Sequence, residues 1–417
     1  MGDQSHLISA RIDAWRKTGD LSALWPHVDS AARAEAHRLI TATTHAVLIG
    51  GGETPRLEST RLIPPEAIGI AAYVCGMGAL LGHWIEQRTI VADSPLRDLL
   101  REHLAHGRRR AANMTAGLVT ALGACDRNGV KPTVLKGSHT SHAYFPEPGT
   151  RPSADLDLLV PPNQFEVTGT ALRAAGFAES RRTRTPPRSE WITQGAPMPL
   201  RSLELDHADN PWSIDLHQAL ERWYFRGLRA GFLPEFWKTR PLDIGGQRAL
   251  VLAQPLLTAF LAMHAAFSIR DVRLIHLVEL VLVIRHDALS GALDWQELAL
   301  LLAATRTARF VYPSLELVDR LAPGTVDPRL RLAFARTSTR RMRRVIDAVH
   351  RAGMRLPRRT LDEKLMWACG AWELLCNIGE LVWSSDEALP ASEVVRLHLR
   401  RARMVLRGQA GFSSQAR

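Results

Sequence analysis

The sequence is poor in lysine and in cysteine, and these two shortages bear on its binding partners and on its redox compartment. Lysine occurs at five positions only, so nearly all of the positive charge behind the formal net charge of +11 is arginine. A surface this basic favours polyanionic partners, such as RNA, an acidic peptide or a nucleoside triphosphate, without choosing among them. The four cysteines form no CxxC pair, which indicates buried thiols in a reduced cytoplasm.

The chain also lacks the usual signs of export and of membrane insertion. Its first residues, MGDQSHLISARIDAW, contain no basic stretch followed by an apolar run, so we expect no signal peptide and a cytoplasmic location. One uncharged run, Ala67 to Trp84, has about the length of a membrane span. It is rich in alanine and glycine, contains His83 and lies between Glu66 and Glu86. We therefore expect a buried helix and no membrane partner.

The pattern of apolar residues divides the chain into three regions. At 417 residues and 46.3 kDa it is long enough for two or three domains. Residues 1–115 predict helices, and their glycine run Gly50–Gly52 is no phosphate-binding loop because no Gly-Lys-Ser/Thr follows. Residues 116–248 mix strand and helix patterns, and residues 249–417 are helical again. The fold class we predict is an α+β core between two all-helical regions.

Two short strands and a helix open the middle region. A helical pattern ends at Asn128-Gly129, a usual helix stop. Apolar runs then predict strands at Thr133–Lys136 and at Asp155–Val160. The second strand is followed by an amphipathic helix over Pro161–Ala175, which Gly176 would close.

A hairpin is predicted near the end of the middle region. Turn-forming residues Asp209-Asn210-Pro211 separate the apolar runs Leu203–His207 and Trp212–His217, as expected between antiparallel strands. Upstream, the stretch Arg181–Arg201 is rich in proline and arginine and has no period. It predicts a loop that could close over a ligand.

Two aspartates interrupt the strand Asp155–Val160. Because side chains alternate along a strand, Asp155 and Asp157 point to the same face. Two carboxylates so close stay ionised near pH 7 if a hard divalent cation lies between them, and oxygen ligands suit magnesium. A lone Asp-x-Asp strand is more often a solvated sheet face. The motif gains meaning from Asp215 in a later strand, which becomes a third ligand if the two strands are neighbours.

Five further residues are candidates for the same site. Gly137-Ser138 follows a strand and opens a helix, where phosphate oxygens can approach backbone N–H groups. Lys136 could reach a phosphate or face solvent, and Arg151 could bind a triphosphate or brace its own loop. His217 shares the face of Asp215, so it could hydrogen-bond to a metal-binding carboxylate or to the acceptor, or be structural.

The order Gly-Ser, Asp-x-Asp and distal Asp resembles the nucleotidyltransferase superfamily typified by DNA polymerase β. More narrowly, the chain resembles a bacterial family of uncharacterised nucleotidyltransferases, some of whose members sit in peptide natural-product gene clusters. The resemblance runs from about residue 134 to 220, and more faintly to about 282. It is carried by LKG at Leu135–Gly137, by Arg151, by DLDLLV at Asp155–Val160 and by IDLHQAL at Ile214–Leu220.

The resemblance implies a fold, a site and a cofactor. The fold would be a nucleotidyltransferase-type mixed sheet. Gly137 and Ser138 would hold the triphosphate, and catalytic Asp155, Asp157 and Asp215 would hold two Mg²⁺ ions, with Mn²⁺ as the other candidate. The interval between Ser138 and Asp155 is longer than the superfamily spacing.

The implied reaction moves a nucleoside monophosphate from a nucleoside triphosphate to a hydroxyl-type acceptor and releases pyrophosphate. The acceptor could be a small molecule, a peptide, a protein or tRNA, and natural-product biosynthesis is one setting. The alternative is a catalytically silent protein of the same fold that binds RNA or an acidic precursor peptide. Arginine-rich segments, Ser338–Arg359 and Arg396–Arg407, could form such a surface. Solvated helix faces explain them equally well, because no aromatic residues suited to base stacking accompany them.

Overall fold

The computed structural model describes residues 28–184, 187–195, 211–225, 228–356 and 366–382, together with positions 392, 395, 396 and 399. Five of the predicted elements lie outside these residues in whole or in part. They are parts of the loop Arg181–Arg201, the strand Leu203–His207, most of the turn Asp209-Asn210-Pro211, the end of the segment Ser338–Arg359 and nearly all of the segment Arg396–Arg407.

Four helices and a short two-stranded ladder form the described N-terminal part. They are α1 (Ser30–Ile49), β1 (Arg56–Leu57), α2 (Pro65–Val74), α3 (Gly78–Glu86), β2 (Val91–Ala92) and α4 (Ser94–Arg127). Aspartates start two of the helices, since Asp29 and Asp93 accept hydrogen bonds from backbone N–H groups of the first turns of α1 and α4. Helix α4 ends before Asn128-Gly129, as predicted, with Gly129 at a positive φ of 69°.

The uncharged run Ala67–Trp84 forms two helices instead of one. Helices α2 and α3 are bent by 116° at a break that contains Gly76. Glycine is required there because its φ is +76° and a Cβ atom would lie 2.6 Å from the side chain of Ile275. Both helices are mostly buried, as expected for core helices. Within the described ranges, no single helix is both long and apolar enough to cross a membrane, although the bent pair passes on length and composition.

A seven-stranded mixed sheet forms the middle of the chain, which confirms the predicted α+β class with helical flanks. Its spatial order is β10, β11, β3, β4, β7, β6, β5. The strands are β3 (Thr133–Val134), β4 (Asp155–Leu159), β5 (Phe177–Arg184), β6 (Pro187–Thr193), β7 (Ser213–His217), β10 (Thr239–Ile244) and β11 (Gln247–Leu252). Helix α5 (Ser138–Ala143) connects β3 to β4, and helix α6 (Phe165–Ala174) connects β4 to β5.

The prediction of a loop over Arg181–Arg201 is wrong for the part that the structure describes as strand. Strands β5 and β6 pair antiparallel, and β6 then pairs with β7. The reason is a period of two that the arginines obscure: Ser189 and Trp191 are buried in β6 while the residues between them are partly exposed. Both edges of β7 are thereby occupied, by β6 and by β4.

Helices build the described C-terminal part. After the antiparallel pair β8 (Leu220–Phe225) and β9 (Leu228–Phe232), they are α7 (Leu256–Phe267), α8 (Leu274–Leu289), α9 (Trp295–Ala304), α10 (Ala308–Leu321), α11 (Pro328–Ala335), α12 (Arg340–Arg351) and α13 (Ala371–Val382). Helix α7 is almost entirely buried, in keeping with its nearly uninterrupted apolar sequence, and α8 is buried over most of its length up to Ile284.

Two hydrophobic cores hold these parts together. One joins the N-terminal and C-terminal helices, with members from Ala32 to Trp367, and the other lies on the sheet, with members from Met114 to Val251. Helix α4 contributes to both, through Leu96 and Leu100 at its start and Met114 and Leu118 further along. The predicted boundary between residues 115 and 116 therefore falls inside one continuous helix.

Candidate functional site

The two carboxylate-bearing strands are direct neighbours in the sheet. Strands β4 and β7 run parallel, and their register places Asp157 opposite Asp215. Leu156, Leu158, Ile214 and Leu216 of the same strands are buried in the sheet core. Because side chains alternate, burying these four turns the aspartates of both strands to the opposite face. The sheet thus brings together residues that are 58 positions apart in the chain.

Asp157, Asp215 and His217 form a compact group of possible metal ligands. Their ligand atoms all lie within 4.8 Å of one another, and no other group of this kind occurs in the described ranges. Asp155, predicted as a ligand, is not a member of this group. It remains close enough for its charge to raise the pKa of Asp215 and of Lys136. His217 lies within the group itself, with its Nε2 in contact with Asp157.

Asp157 is the most tightly held member. Lys136 Nζ lies 2.7 Å from Asp157 Oδ2, and His217 Nε2 lies 2.9 Å from Asp157 Oδ1. Burial alone would raise the pKa of Asp157, but the lysine charge and the hydrogen bond from His217 lower it well below its ordinary value. Asp157 is therefore a carboxylate at any physiological pH, with a partner on each oxygen.

Asp215 is held much more loosely. Its one described ion pair is with Arg188 of β6, at 3.3 Å from Nη1 to Oδ2, and the arginine side chain is 38% exposed. Burial, together with the charges of Asp155 and Asp157, raises the pKa of Asp215 to about 6. Additional positive charge at this point would relieve the repulsion among the three carboxylates.

The donor atoms present suit divalent cations. Carboxylate oxygens suit Mg²⁺, and an imidazole nitrogen beside them is also acceptable to Mn²⁺. Asp215 has a raised pKa, as expected of a carboxylate next to others of its kind. Lys136 already neutralises part of the negative charge of the aspartates through its contact with Asp157. A divalent cation would neutralise more of it.

Lys136 points to the carboxylates. Its side chain is buried, and its pKa is raised, since Asp155 and Asp157 outweigh the opposing effect of burial. Of the two interpretations of this residue, the solvent-facing one is wrong. Contact of Lys136 with a phosphate stays a prediction.

The Gly137-Ser138 turn lies at the end of β3, as predicted. Gly137 has a φ of +33°, and a Cβ atom there would lie 2.8 Å from Ser153 Oγ, so glycine is required. Ser138 begins α5, a helix of six residues. A small cleft adjoins the turn and is lined by Arg110, Arg151 and Ser153 among others, whereas the carboxylates do not line it.

Arg151 is engaged in a closed ion pair. Its Nε and Nη2 atoms donate to the two carboxylate oxygens of Glu279 in α8, at 2.9 and 3.0 Å. The hydroxyl of Thr140 in α5 also donates to Glu279, and both members of the pair are nearly inaccessible to solvent. These contacts tie the loop before β4 and the helix after Gly137 to α8, which agrees with the bracing interpretation. Nucleotide contact by Arg151 stays a prediction.

Three residues at or near the site were not predicted. Glu279 is the one charged residue in the apolar stretch Leu277–Ile284 of α8, and an isolated charge in such a stretch signals a buried partner. Arg188 lies in the segment that was interpreted as a loop. Arg222 of β8 interacts electrostatically with Asp157, and nothing in its local sequence points to that neighbour.

Comparison with known proteins gives one match. A family model described as "Uncharacterised nucleotidyltransferase" matches residues 70–323, which is more than half of the chain. The matched range includes the Gly137-Ser138 turn, the three aspartates and Glu279. No curated protein and no solved structure matches the chain.

Proposed function

Because the chain belongs to the uncharacterised nucleotidyltransferase family, we propose that it transfers a nucleoside monophosphate from a nucleoside triphosphate to a hydroxyl-type acceptor. The observation that carries the proposal is the register that places Asp157 opposite Asp215, with Asp155 on the same strand. A cluster of aspartates beside a glycine-serine turn suits phosphoryl-group chemistry, in which positioning and charge neutralisation supply most of the catalysis.

In the proposed reaction, the acceptor oxygen forms a bond to the α-phosphorus while the bond from that phosphorus to the pyrophosphate oxygen breaks. Asp157 and Asp215, with Asp155 and His217 beside them, would hold the divalent cations, which we propose to be two Mg²⁺ ions. When bound, such ions neutralise phosphate charge and lower the pKa of an attacking hydroxyl. Mn²⁺ is the other candidate because of the imidazole.

The chain's own residues have distinct parts in this proposal. His217 orients Asp157 by a hydrogen bond to Asp157 Oδ1. Lys136 binds Asp157 Oδ2 and adds positive charge near the phosphates. Gly137 lets a phosphate approach the backbone more closely than any other residue would. The brace formed by Arg151 and Glu279 keeps the turn next to the carboxylates. Acceptors of the proposed reaction include small molecules, peptides, proteins and tRNA, and natural-product modification is one setting.

Labelled nucleoside triphosphates incubated with cell extract test the proposal. We expect label transfer with the intact chain and none with the double variant Asp155→Asn/Asp157→Asn. Asp126→Asn, which changes an exposed aspartate at the end of α4, is the matched control and should transfer normally. The mass of the product separates nucleotidyl transfer from kinase-type phosphoryl transfer.

Two results would count against the enzyme. Label transfer that survives the double change would remove the carboxylates from the reaction. ATP binding that is absent or independent of Mg²⁺, measured by calorimetry, would favour a silent protein that binds RNA or an acidic peptide.

A further inference from the structure

Arg222 of β8 is a cation whose described hydrogen-bond and ring contacts are all with uncharged groups. Its Nη2 atom donates a hydrogen bond to Nδ1 of His264 in α7, and its guanidinium lies 5.5 Å from the centre of the Phe267 ring. No aspartate or glutamate in the described part of the chain forms an ion pair with it. An arginine side chain cannot lose its proton to escape this situation.

Two histidines lie near Arg222. The rings of His264 and His276 lie 5.0 Å apart, and burial is the main cause that lowers the pKa of each well below the usual 6.5. Both imidazoles are therefore neutral. Since Nδ1 of His264 accepts from Arg222, its Nε2 atom carries the proton and can donate.

Asp155 and Asp157 act on Arg222 through their charge, but within the described residues neither forms an ion pair with it, and both oxygens of Asp157 are already bound by Lys136 and His217. A partly buried cation without an anion in direct contact is costly to the fold. An incoming oxyanion would supply that partner, and a phosphate group matches the planar guanidinium with two parallel hydrogen bonds.

We propose that Arg222 and His264 form an oxyanion subsite that binds a phosphate group of the substrate next to the carboxylate cluster. The subsite deepens the proposed function and rests on it for the identity of the substrate. The phosphate can have two sources, namely the pyrophosphate portion of the nucleoside triphosphate or a phosphate carried by the acceptor. Neither Arg222 nor His264 lines the cleft at Gly137-Ser138, so the subsite is a separate contact from that turn.

Binding of inorganic pyrophosphate to the full chain, measured by calorimetry with and without Mg²⁺, tests the subsite. We expect Arg222→Gln to weaken binding by about tenfold or more, as is usual when a hydrogen-bonding partner of a charged ligand is lost. Arg229→Gln is the matched control, because this arginine lies in the adjacent strand β9 with 69% of its side chain exposed. Its affinity should equal that of the unchanged chain.

Arg222→Lys keeps the charge but loses the planar fork, and it gives a second measurement should the glutamine variant not fold. We expect an affinity between those of the unchanged chain and Arg222→Gln. Equal pyrophosphate affinity in the unchanged chain and either Arg222 variant, or no binding by the unchanged chain in either condition, would overturn the subsite.

A non-hydrolysable ATP analogue identifies the source of the phosphate. Competition between the analogue and pyrophosphate assigns the subsite to the nucleotide, whereas simultaneous binding assigns it to the acceptor. The binding assay needs no turnover, so its outcome is independent of label transfer. Binding that depends on Arg222 without any label transfer keeps the subsite and removes the transferase, and the reverse result removes the subsite alone.

Discussion

Two groups of buried charge flank the Gly137 turn, and they differ in whether every charge has a partner. In the brace, Arg151 and Glu279 make a bidentate pair with 5% and 2% of their side chains exposed, and Thr140 adds a further hydrogen bond. In the carboxylate cluster, both oxygens of Asp157 have partners, while the one described ion pair of Asp215 is with a partly exposed arginine at 3.3 Å.

The difference separates a group that holds the fold from a group that is ready to bind. Adding a cation to the brace would displace good hydrogen bonds, whereas adding one to the cluster would relieve repulsion among Asp155, Asp157 and Asp215. Perturbed carboxylates of the second kind are common at functional sites. Variants of the two groups should therefore affect different measurements, with activity depending on the cluster and stability on the brace.

The largest effect is expected from Asp215→Asn on turnover. The amide cannot replace a carboxylate that would hold the cation activating the acceptor, so turnover should fall by about 10³-fold or more, which is about 4 kcal/mol. Nucleotide affinity should be largely kept, because Asp155 and Asp157 remain. Single-turnover label transfer and nucleotide titration measure the two quantities, and retained turnover would contradict an activating role for Asp215.

Glu279→Gln should have the next largest effect, and on stability. It leaves the guanidinium of Arg151 buried without an anionic partner, which should lower the free energy of unfolding by about 3 kcal/mol. Denaturant unfolding measures this loss. Glu35→Gln is the matched control, since Glu35 pairs with Arg38 on the surface and half of its side chain is exposed. Its loss of stability should be much smaller, as is usual for a surface ion pair, and an equal loss in both variants would show that the brace is no stronger than a surface pair.

The sequence predicts the carboxylate cluster better than it predicts the brace. Alternation along a strand was enough to place Asp155 and Asp157 on one face, and the apolar neighbours of Asp215 were enough to place it in a strand. Neither pattern states which strands are adjacent. The parallel pairing of β4 with β7 depends on the packing of the whole sheet, so the meeting of Asp157 and Asp215 could only be expected conditionally.

The brace could not be found in this way. Arg151 and Glu279 are 128 positions apart, and the pair forms only because α8 packs against the loop before β4. The same holds for Arg188, since the arginines around it masked the alternation of Ser189 and Trp191. Local patterns thus predicted the elements and the carboxylates, whereas the partners that set their pKa values came from tertiary packing.

The smallest effect is expected from Asp215→Asn on the stability of the metal-free chain. This change should stabilise the chain, whereas a change in the brace should destabilise it. The pKa of Asp215 is raised from 3.8 to about 6 on folding. Between these values the folded chain binds more protons than the unfolded chain, so this group makes the free energy of unfolding fall as pH rises through that window. Above about pH 6 the full cost of the buried charge is present.

Asp215→Asn should therefore stabilise the metal-free chain above about pH 7, by on the order of 2 kcal/mol, and the gain should shrink toward about pH 4. Asp157 has the opposite sign, because its lowered pKa contributes stability that is lost as pH falls through the acidic range. Thermal unfolding across this pH range, with Asp126→Asn as the exposed control, measures the difference. Added Mg²⁺ should make the unchanged chain more stable than Asp215→Asn, since only the unchanged chain keeps the Asp215 carboxylate that would bind the cation. If Asp215→Asn instead destabilises the metal-free chain, Asp215 stabilises the fold, as the charges of the brace do.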